Sequence, residues 1–319
     1  MTSTRPSWPV VAWHAIRPQT LPLSLSPVLA GSAVGWVETG AVRPGVLLAA
    51  ALSAAAIQIG TNLQNDAADG LNGTDQPDRL GPARVTERGW LSAQQVLWAA
   101  HAAFALAVLC GLYLVALGGW PILTIGLLSV LAGYAYSSGP YPISRGPLGE
   151  LFVVLFFGVV GVGGVAYLHS GQVSAHAVLI GVIIGLPAAG VLLLNNIRDR
   201  RSDTLAGRRT LAILLGQRSA QWLFGGLLIG VAVGLSVVAM LGPPWCGAAL
   251  GLAGLPMGMG IWRALAHADG AEKYNICLGR TAILQLVLTV SACLGLVLTA
   301  VFYQTEIVNL TTNWVVAYQ

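Results

Sequence analysis

Nine long stretches of this chain contain almost no charged residues, and each is long enough to cross a lipid bilayer as an α-helix. They cover approximately residues 20–37, 44–63, 94–116, 119–137, 149–168, 174–195, 219–241, 245–266 and 281–303. Only 9% of the residues are charged, whereas soluble domains carry about 25%. The sequence therefore predicts an all-α integral membrane protein, a bundle of nine transmembrane helices embedded in the lipid bilayer.

The distribution of basic residues predicts how the bundle is oriented. If the chain crosses nine times, its loops and termini fall into two sets on opposite faces. All but one of the 16 Lys and Arg residues belong to one set, and only Arg43 belongs to the other. By the positive-inside rule the basic face and the N-terminus are cytoplasmic. This orientation accounts for the net charge of +4, so no nucleic-acid partner is predicted. Residues 1–12 lack the pattern of a cleaved signal peptide.

Two clusters of polar residues follow apolar runs on the basic face. The first begins after Gly60 and has four aspartates within 13 residues, starting at Asp66. The second follows Leu194 and contains Asn195, Asp199 and Asp203. Residues four apart lie on one face of a helix, so each cluster predicts a polar stripe as its helix leaves the membrane.

Such stripes supply hard oxygen ligands when they face each other across a bundle. Magnesium binds to a few carboxylates together with the phosphates of a ligand, which suits a diphosphate substrate. Calcium is an alternative for an acidic loop, but EF-hand spacing is absent. Either cluster, taken alone, could also be a solvated loop that binds no metal. Five arginines are candidates for binding phosphate oxygens: Arg79, Arg84, Arg198, Arg208 and Arg209.

A weak internal repeat relates the two halves of the chain. Asn65 and Asp69 have the same spacing as Asn195 and Asp199, and the segment 89–94 resembles 216–221. In both matches the second copy follows the first by a similar number of residues. We interpret residues 1–319 as one domain, in which helices 1–4 and 5–8 form the repeat and helix 9 is added.

Longer motifs make the chain resemble a known family. Asn65-Asp66-x-x-Asp69 and Asp199-x-x-x-Asp203 are similar to the paired aspartate motifs of the UbiA superfamily of intramembrane prenyltransferases. Within it, the continuation of the first motif, with Gly73 and Asp75, resembles the 1,4-dihydroxy-2-naphthoate polyprenyltransferases of menaquinone synthesis. The stretches 195–212 and 17–22 fit the same branch. The resemblance covers nearly the whole chain.

The resemblance implies a central cavity and Mg²⁺-dependent transfer of a polyprenyl or phytyl chain from its diphosphate to an aromatic acid. In this branch, 1,4-dihydroxy-2-naphthoate is prenylated and decarboxylated to a demethylmenaquinone-type product. Asp66, Asp69, Asp199 and Asp203 would be the catalytic aspartates. The implied metal ligands are Asn65, Asp66, Asp69, Asp75, Asn195, Asp199 and Asp203. The length of the isoprenoid and any protein partner are left open by these motifs.

The connection between helices 4 and 5 resembles the family segment beside the aromatic acceptor. It differs from the usual family pattern at Gly146-Pro147-Leu148-Gly149-Glu150, which leaves the acceptor's identity open. An acidic residue at the start of a helix also has a plain structural explanation. The candidate acceptor-pocket residues are Tyr134, Tyr136, Tyr141, Glu150 and Lys273.

Two other functions compete with this interpretation. Another UbiA-type transferase could use homogentisate, 4-hydroxybenzoate or a lipid as acceptor, although the Gly73 and Asp75 pattern argues against these. A transporter would also carry intramembrane acids, but the acids here lie at helix ends and in loops on one face. The expected location is the cell (inner) membrane with cytoplasmic active-site loops, or a thylakoid membrane if the source is photosynthetic.

Overall fold

The computed structural model describes residues 6–72, 84–137 and 142–317, without the side chains of 69, 72, 134, 136, 137 and 306–317. All regular structure in these residues is helical. The α-helices are α1 (Trp8–Ile16), α2 (Leu21–Thr39), α3 (Pro44–Asn72), α4 (Ala93–Ser137), α5 (Gly149–Val154), α6 (Gly161–Ser170), α7 (Ala175–Arg198), α8 (Arg200–Leu205), α9 (Leu211–Leu215), α10 (Gln217–Ala239), α11 (Leu255–Ala266) and α12 (Ala271–Ala317). A π-helical segment, Leu155–Val160, joins α5 to α6, and a 3-10 segment, Trp245–Gly254, precedes α11. Short 3-10 turns cover Pro18–Thr20 and Ile143–Arg145.

Eight helical segments in the described ranges are long and apolar enough to cross a membrane. The prediction of an all-α integral membrane protein is thereby confirmed. One of the eight, Ala93–Gly133, covers all of the predicted span 94–116 and most of the span 119–137. The count of nine crossings and the cytoplasmic N-terminus stay predictions.

The chain reverses direction inside α4, at Gly119. This residue has φ 65° and ψ −150°, which is not helical. Before it, the Phe104 ring lies against Gly60 of α3, and after it, Gly133 lies near the Thr61 hydroxyl. A straight helix would separate positions 104 and 133 by about 43 Å at 1.5 Å per residue. Because both lie at one level of α3, the two halves of α4 form a helical hairpin packed on α3.

Glycines let the π-helical segment and α7 approach each other closely. A Cβ atom added to Gly158 would overlap the carbonyl oxygen of Gly181, and one added to Gly185 would lie 2.9 Å from Val154 backbone atoms. Helices in membranes associate through such small residues, because lipid supplies no hydrophobic driving force between them. The contact fixes α5 and α6 against α7, whose C-terminal end carries the second polar cluster.

The 3-10 segment and α12 meet at a pair of facing glycines, and this contact predicts a large stability effect. A Cβ atom on Gly295 would overlap the carbonyl oxygen of Gly247. Backbone atoms cannot rotate away, so we expect Gly295→Ala to destabilise the bundle by about 1–3 kcal/mol. Thermal unfolding in nanodiscs would measure this. Gly279→Ala is the matched control, because Gly279 is also on α12 and a Cβ atom added there would have no described neighbour within 4 Å. Equal melting temperatures for the two variants would contradict the prediction.

Helix α1 was not among the predicted spans. Its Val11 and Ala15 are buried in a cluster with Leu63 and Ala67 of α3. Their i, i+4 spacing is the signal that would have predicted a short amphipathic helix here. The helix therefore covers the end of α3 from which the first polar cluster emerges.

The interior contains a small apolar cavity between α2, α7, α10, α12 and the 3-10 segment. Its lining includes Ala30, Ile183, Leu235 and Ala292. None of the polar residues of the two clusters lines it. A cavity with this apolar lining provides no groups for binding a diphosphate.

The two strings of the predicted repeat share a glycine with positive φ but differ after it, because residues 217–221 are helical and residues 90–92 are not. Gly89 and Gly216 both have positive φ angles, of 65° and 77°. Each precedes the start of a long helix, α4 or α10. The duplication itself stays a prediction.

Candidate functional site

The two polar clusters lie at the same end of the bundle. The Asn62 amide donates hydrogen bonds to the Ile16 carbonyl at 3.2 Å and to the Thr20 hydroxyl at 2.9 Å. The Pro18–Thr20 turn in turn contacts α12. The start of α12 reaches the end of α7 through Asn275. The ends of α3 and α7 are thus connected through two intermediate segments.

One buried arginine organises the second cluster. The Arg198 guanidinium donates to both carboxylate oxygens of Asp199, at 2.7 and 2.6 Å. It also donates to the Oδ1 atoms of Asn195, at 2.7 Å, and of Asn275, at 2.6 Å. Only 4% of the Arg198 side chain is exposed, against 23% for Asp199. Four side-chain oxygen atoms from two helices and the residue between α7 and α8 therefore surround one cationic group.

Asp203 lies one helical turn beyond Asp199 and pairs with a different arginine. The Arg208 Nη1 atom is 3.0 Å from Asp203 Oδ1. Burial raises the pKa of the Asp203 carboxyl, while the positive charge of Arg208 acts in the opposite direction. Arg209 contributes a backbone contact instead, since its N–H donates to the Arg145 carbonyl at 2.8 Å. The loop after α8 is thus held against the segment before α5.

Asp66, in the first cluster, binds the chain that returns to α4. Its side chain is 1% exposed and accepts the N–H groups of Val85, at 3.1 Å, and Thr86, at 3.4 Å. The Thr86 hydroxyl also donates to it. In this arrangement the Asp66 carboxylate is a structural acceptor as well as a candidate ligand.

The structure describes only some of the other residues predicted around Asp66. The Arg84 Nη1 atom lies 3.4 Å from the Asn65 carbonyl oxygen, and Arg84 is buried. Asp69 is part of α3, but its side chain is outside the description. Asp75 and Arg79 lie outside the described residues altogether. The structure therefore joins Arg84 to Asn65 and leaves the remaining contacts of this cluster as predictions.

Glu150 packs beside the second cluster on another face of α7. It is 7% exposed, and its Oε1 atom accepts the Asn196 amide at 2.9 Å. Its Oε2 atom is buried and has no hydrogen-bond partner among the described residues. Tyr134 and Tyr136 belong to α4, with side chains outside the description, and Tyr141 is outside the described residues. A buried carboxyl with an unused oxygen is suited to binding a polar group of a substrate.

Lys273 forms an ion pair with a residue outside this cluster. Its side chain is 56% exposed and pairs with Asp269. The next residue, Tyr274, is buried, and its hydroxyl accepts the amides of Gln217 and Gln221, both at 3.1 Å. This anchors α12 to α10 and holds Asn275 beside Arg198.

Sequence reasoning missed two residues of this site as candidates, Asn275 and Asn196. Asn275 lies two positions after Lys273, and Asn196 directly follows Asn195. Their polar character next to apolar helices was the available signal. Their partners were not predictable, because Asn275 is 77 residues from Arg198 and Asn196 is 46 residues from Glu150.

The ligand chemistry of the second cluster suits magnesium. Amide and carboxylate oxygens of Asn195, Asp199 and Asn275 already surround a positive charge at hydrogen-bond distance. Such hard oxygen donors are the ligands magnesium takes in proteins. No group of three or more His, Cys, Asp and Glu residues is placed to hold a metal within the described part of the chain. The fit therefore rests on the oxygen set around Arg198.

Comparisons with known proteins agree with this architecture. A model of the UbiA prenyltransferase family matches residues 24–276. The 1,4-dihydroxy-2-naphthoate octaprenyltransferase of Mycobacterium tuberculosis is 36% identical over 85% of this chain and 91% of the relative. The enzyme of that name in Escherichia coli is 36% identical over 71% of this chain and 75% of the relative. The structure of a UbiA homolog from Archaeoglobus fulgidus bound to DMAPP and Mg²⁺ aligns with a TM-score of 0.59 at 14% identity, covering 88% of this chain and 99% of that one.

Proposed function

Since the chain belongs to the UbiA prenyltransferase family and is a membrane prenyltransferase, we propose that it prenylates 1,4-dihydroxy-2-naphthoate. The donor is a polyprenyl or phytyl diphosphate, and the naphthoate carboxylate leaves as carbon dioxide. The carrying observation is the 36% identity to 1,4-dihydroxy-2-naphthoate octaprenyltransferases over most of both chains. The oxygen cluster around Arg198 supports a diphosphate site at the end of α7.

The aspartates bind the donor diphosphate together with magnesium. Asn195, Asp199 and Asp203 would hold the metal from the α7 side. Asn65, Asp66, Asp69 and Asp75 of the first cluster would hold it from the α3 side. Bound magnesium supplies neutralisation of the negative charge that develops on the leaving diphosphate. Five arginines would stabilise the negative charge of the leaving diphosphate by binding its phosphate oxygens: Arg79, Arg84, Arg198, Arg208 and Arg209.

The apolar walls of the bundle protect the allylic cation that forms when the C–O bond breaks. Water in this space would quench it, and apolar helices exclude water. The naphthoate ring then forms the new C–C bond at the carbon that loses carbon dioxide. We propose that five residues surround the acceptor: Glu150, which accepts a hydrogen bond from Asn196 of α7, together with Tyr134, Tyr136, Tyr141 and Lys273.

We propose that the protein resides in the cell (inner) membrane with these loops in the cytoplasm, or in a thylakoid membrane in a photosynthetic source. The concentration of basic residues on one set of loops supports this orientation. A cytoplasmic site would give the charged naphthoate direct access from water.

The proposed function is tested with purified protein in nanodiscs. We expect 1,4-dihydroxy-2-naphthoate and octaprenyl diphosphate to give a prenylated, decarboxylated product by mass spectrometry, and only when Mg²⁺ is present. 4-Hydroxybenzoate and homogentisate serve as acceptor controls. Turnover of either control with no naphthoate product would contradict the acceptor while retaining a prenyltransferase.

A further inference from the structure

The guanidinium of Arg198 occupies the centre of an oxygen cluster that a divalent cation would also use. It donates four hydrogen bonds of 2.6 to 2.7 Å to Asn195, Asp199 and Asn275. Both Asp199 oxygens are engaged. A metal ion therefore cannot take these oxygens while Arg198 keeps all four bonds.

We propose that Arg198 is a resident counter-ion for the cation site, which the divalent cation displaces on binding. This inference rests on the proposed function, because it assumes that the second cluster holds the metal. In the absence of metal, Arg198 keeps the acidic group neutralised and its ligands together. Once displaced, the guanidinium is available to phosphate oxygens of the donor.

The surroundings of Arg198 explain why moving its guanidinium out of the cluster costs free energy. The side chain is 4% exposed, so water cannot replace its hydrogen bonds while it stays in place. Charge-assisted hydrogen bonds of this length are among the stronger ones in proteins. Asn275 is held by the neighbouring Tyr274, whose hydroxyl is bonded to two glutamines of α10. The oxygens thus stay fixed, and the arginine is the member of the cluster that moves.

Competition of this kind has an unusual consequence. Removing an arginine from an anion-binding site weakens phosphate binding, but here the same change strengthens metal binding. In Arg198→Gln the positive charge and most of the competing hydrogen bonds are lost. We expect Mn²⁺, used as a spectroscopic substitute for Mg²⁺, to bind at least about tenfold more tightly, since tenfold corresponds to the loss of a single charge-assisted hydrogen bond.

The experiment measures Mn²⁺ binding without diphosphate, from the electron paramagnetic resonance signal of the free ion. Wild type and Arg198→Gln are compared in nanodiscs of phosphatidylcholine, whose headgroup carries no net charge. Arg201→Gln is the matched control, because Arg201 is exposed and its replacement removes an equal charge nearby. Tighter binding in Arg198→Gln alone supports the proposal. Unchanged or weaker binding, or equal tightening in the Arg201 variant, overturns it.

A second variant decides the case if Arg198→Gln does not fold. Arg198→Lys keeps the charge, but an ammonium group cannot match the planar fork that reaches four oxygens. We expect Mn²⁺ to bind a few-fold more tightly than in wild type; equal or weaker binding would overturn the proposal. Prenyl transfer by the wild type is assayed separately, so loss of the proposed function and failure of this inference give different results.

Discussion

Replacing Asp199 with asparagine is expected to lower prenyl transfer about 10²- to 10³-fold, the cost of removing one charge-stabilising group from an active site. The amide keeps one oxygen that accepts from Arg198 and has nearly the same volume, but it loses the negative charge that the carboxylate contributes to cation binding. We therefore expect a protein that folds but melts at a lower temperature than the wild type, because the amide nitrogen cannot accept the second hydrogen bond from the buried Arg198 guanidinium.

The measurement is the steady-state rate with 1,4-dihydroxy-2-naphthoate and a prenyl diphosphate at saturating Mg²⁺. Glu272→Gln is the matched control, because it makes the same chemical change at an exposed position at the start of α12. Full activity in Asp199→Asn would remove Asp199 from the proposed site. Loss of activity in both variants would point to a general electrostatic effect instead.

Replacing Asp66 with alanine is expected to lower the free energy of unfolding by about 3 kcal/mol, because buried donors lose their acceptor. The N–H groups of Val85 and Thr86 and the Thr86 hydroxyl all donate to this carboxylate. Activity should fall as well, since Asp66 also belongs to the proposed diphosphate site.

Thermal and denaturant unfolding in nanodiscs, without metal or substrate, separates the two roles of Asp66. Thr86→Val is the control, since it removes one hydroxyl donor and leaves the carboxylate and both N–H donors. We expect this variant to lower the free energy of unfolding by about 1 kcal/mol, the usual contribution of a single hydrogen bond. An Asp66→Ala protein as stable as the wild type would show that the carboxylate has no structural role.

Hydropathy predicted the membrane fold because the cost of placing charge in lipid leaves a strong signal in the sequence. Each of the nine apolar stretches agrees with a helical part of the structure to within two residues, and the short break between residues 116 and 119 lies directly before the reversal at Gly119. The helix α1 was missed because it is only nine residues long and follows no apolar stretch.

The polar clusters were predicted less completely than the helices. Helical spacing identified Asn195, Asp199 and Asp203, since local geometry relates residues four apart. It could not show that Arg198 engages Asp199 or that Asn275 completes the cluster, because these contacts depend on how α7 and α12 pack. The partner of Asp66 is similarly distant, at Thr86, 20 residues along the chain.

The bonds from Asp66 to Val85 and Thr86 also affect how the connection between α3 and α4 can change in length. They join positions 19 residues apart, so the chain ends of that connection are already brought together by the scaffold. Doubling the length of a closed loop then costs only about 0.6 kcal/mol in entropy. Insertions within 73–83 should therefore leave the register of α3 against α4 unchanged.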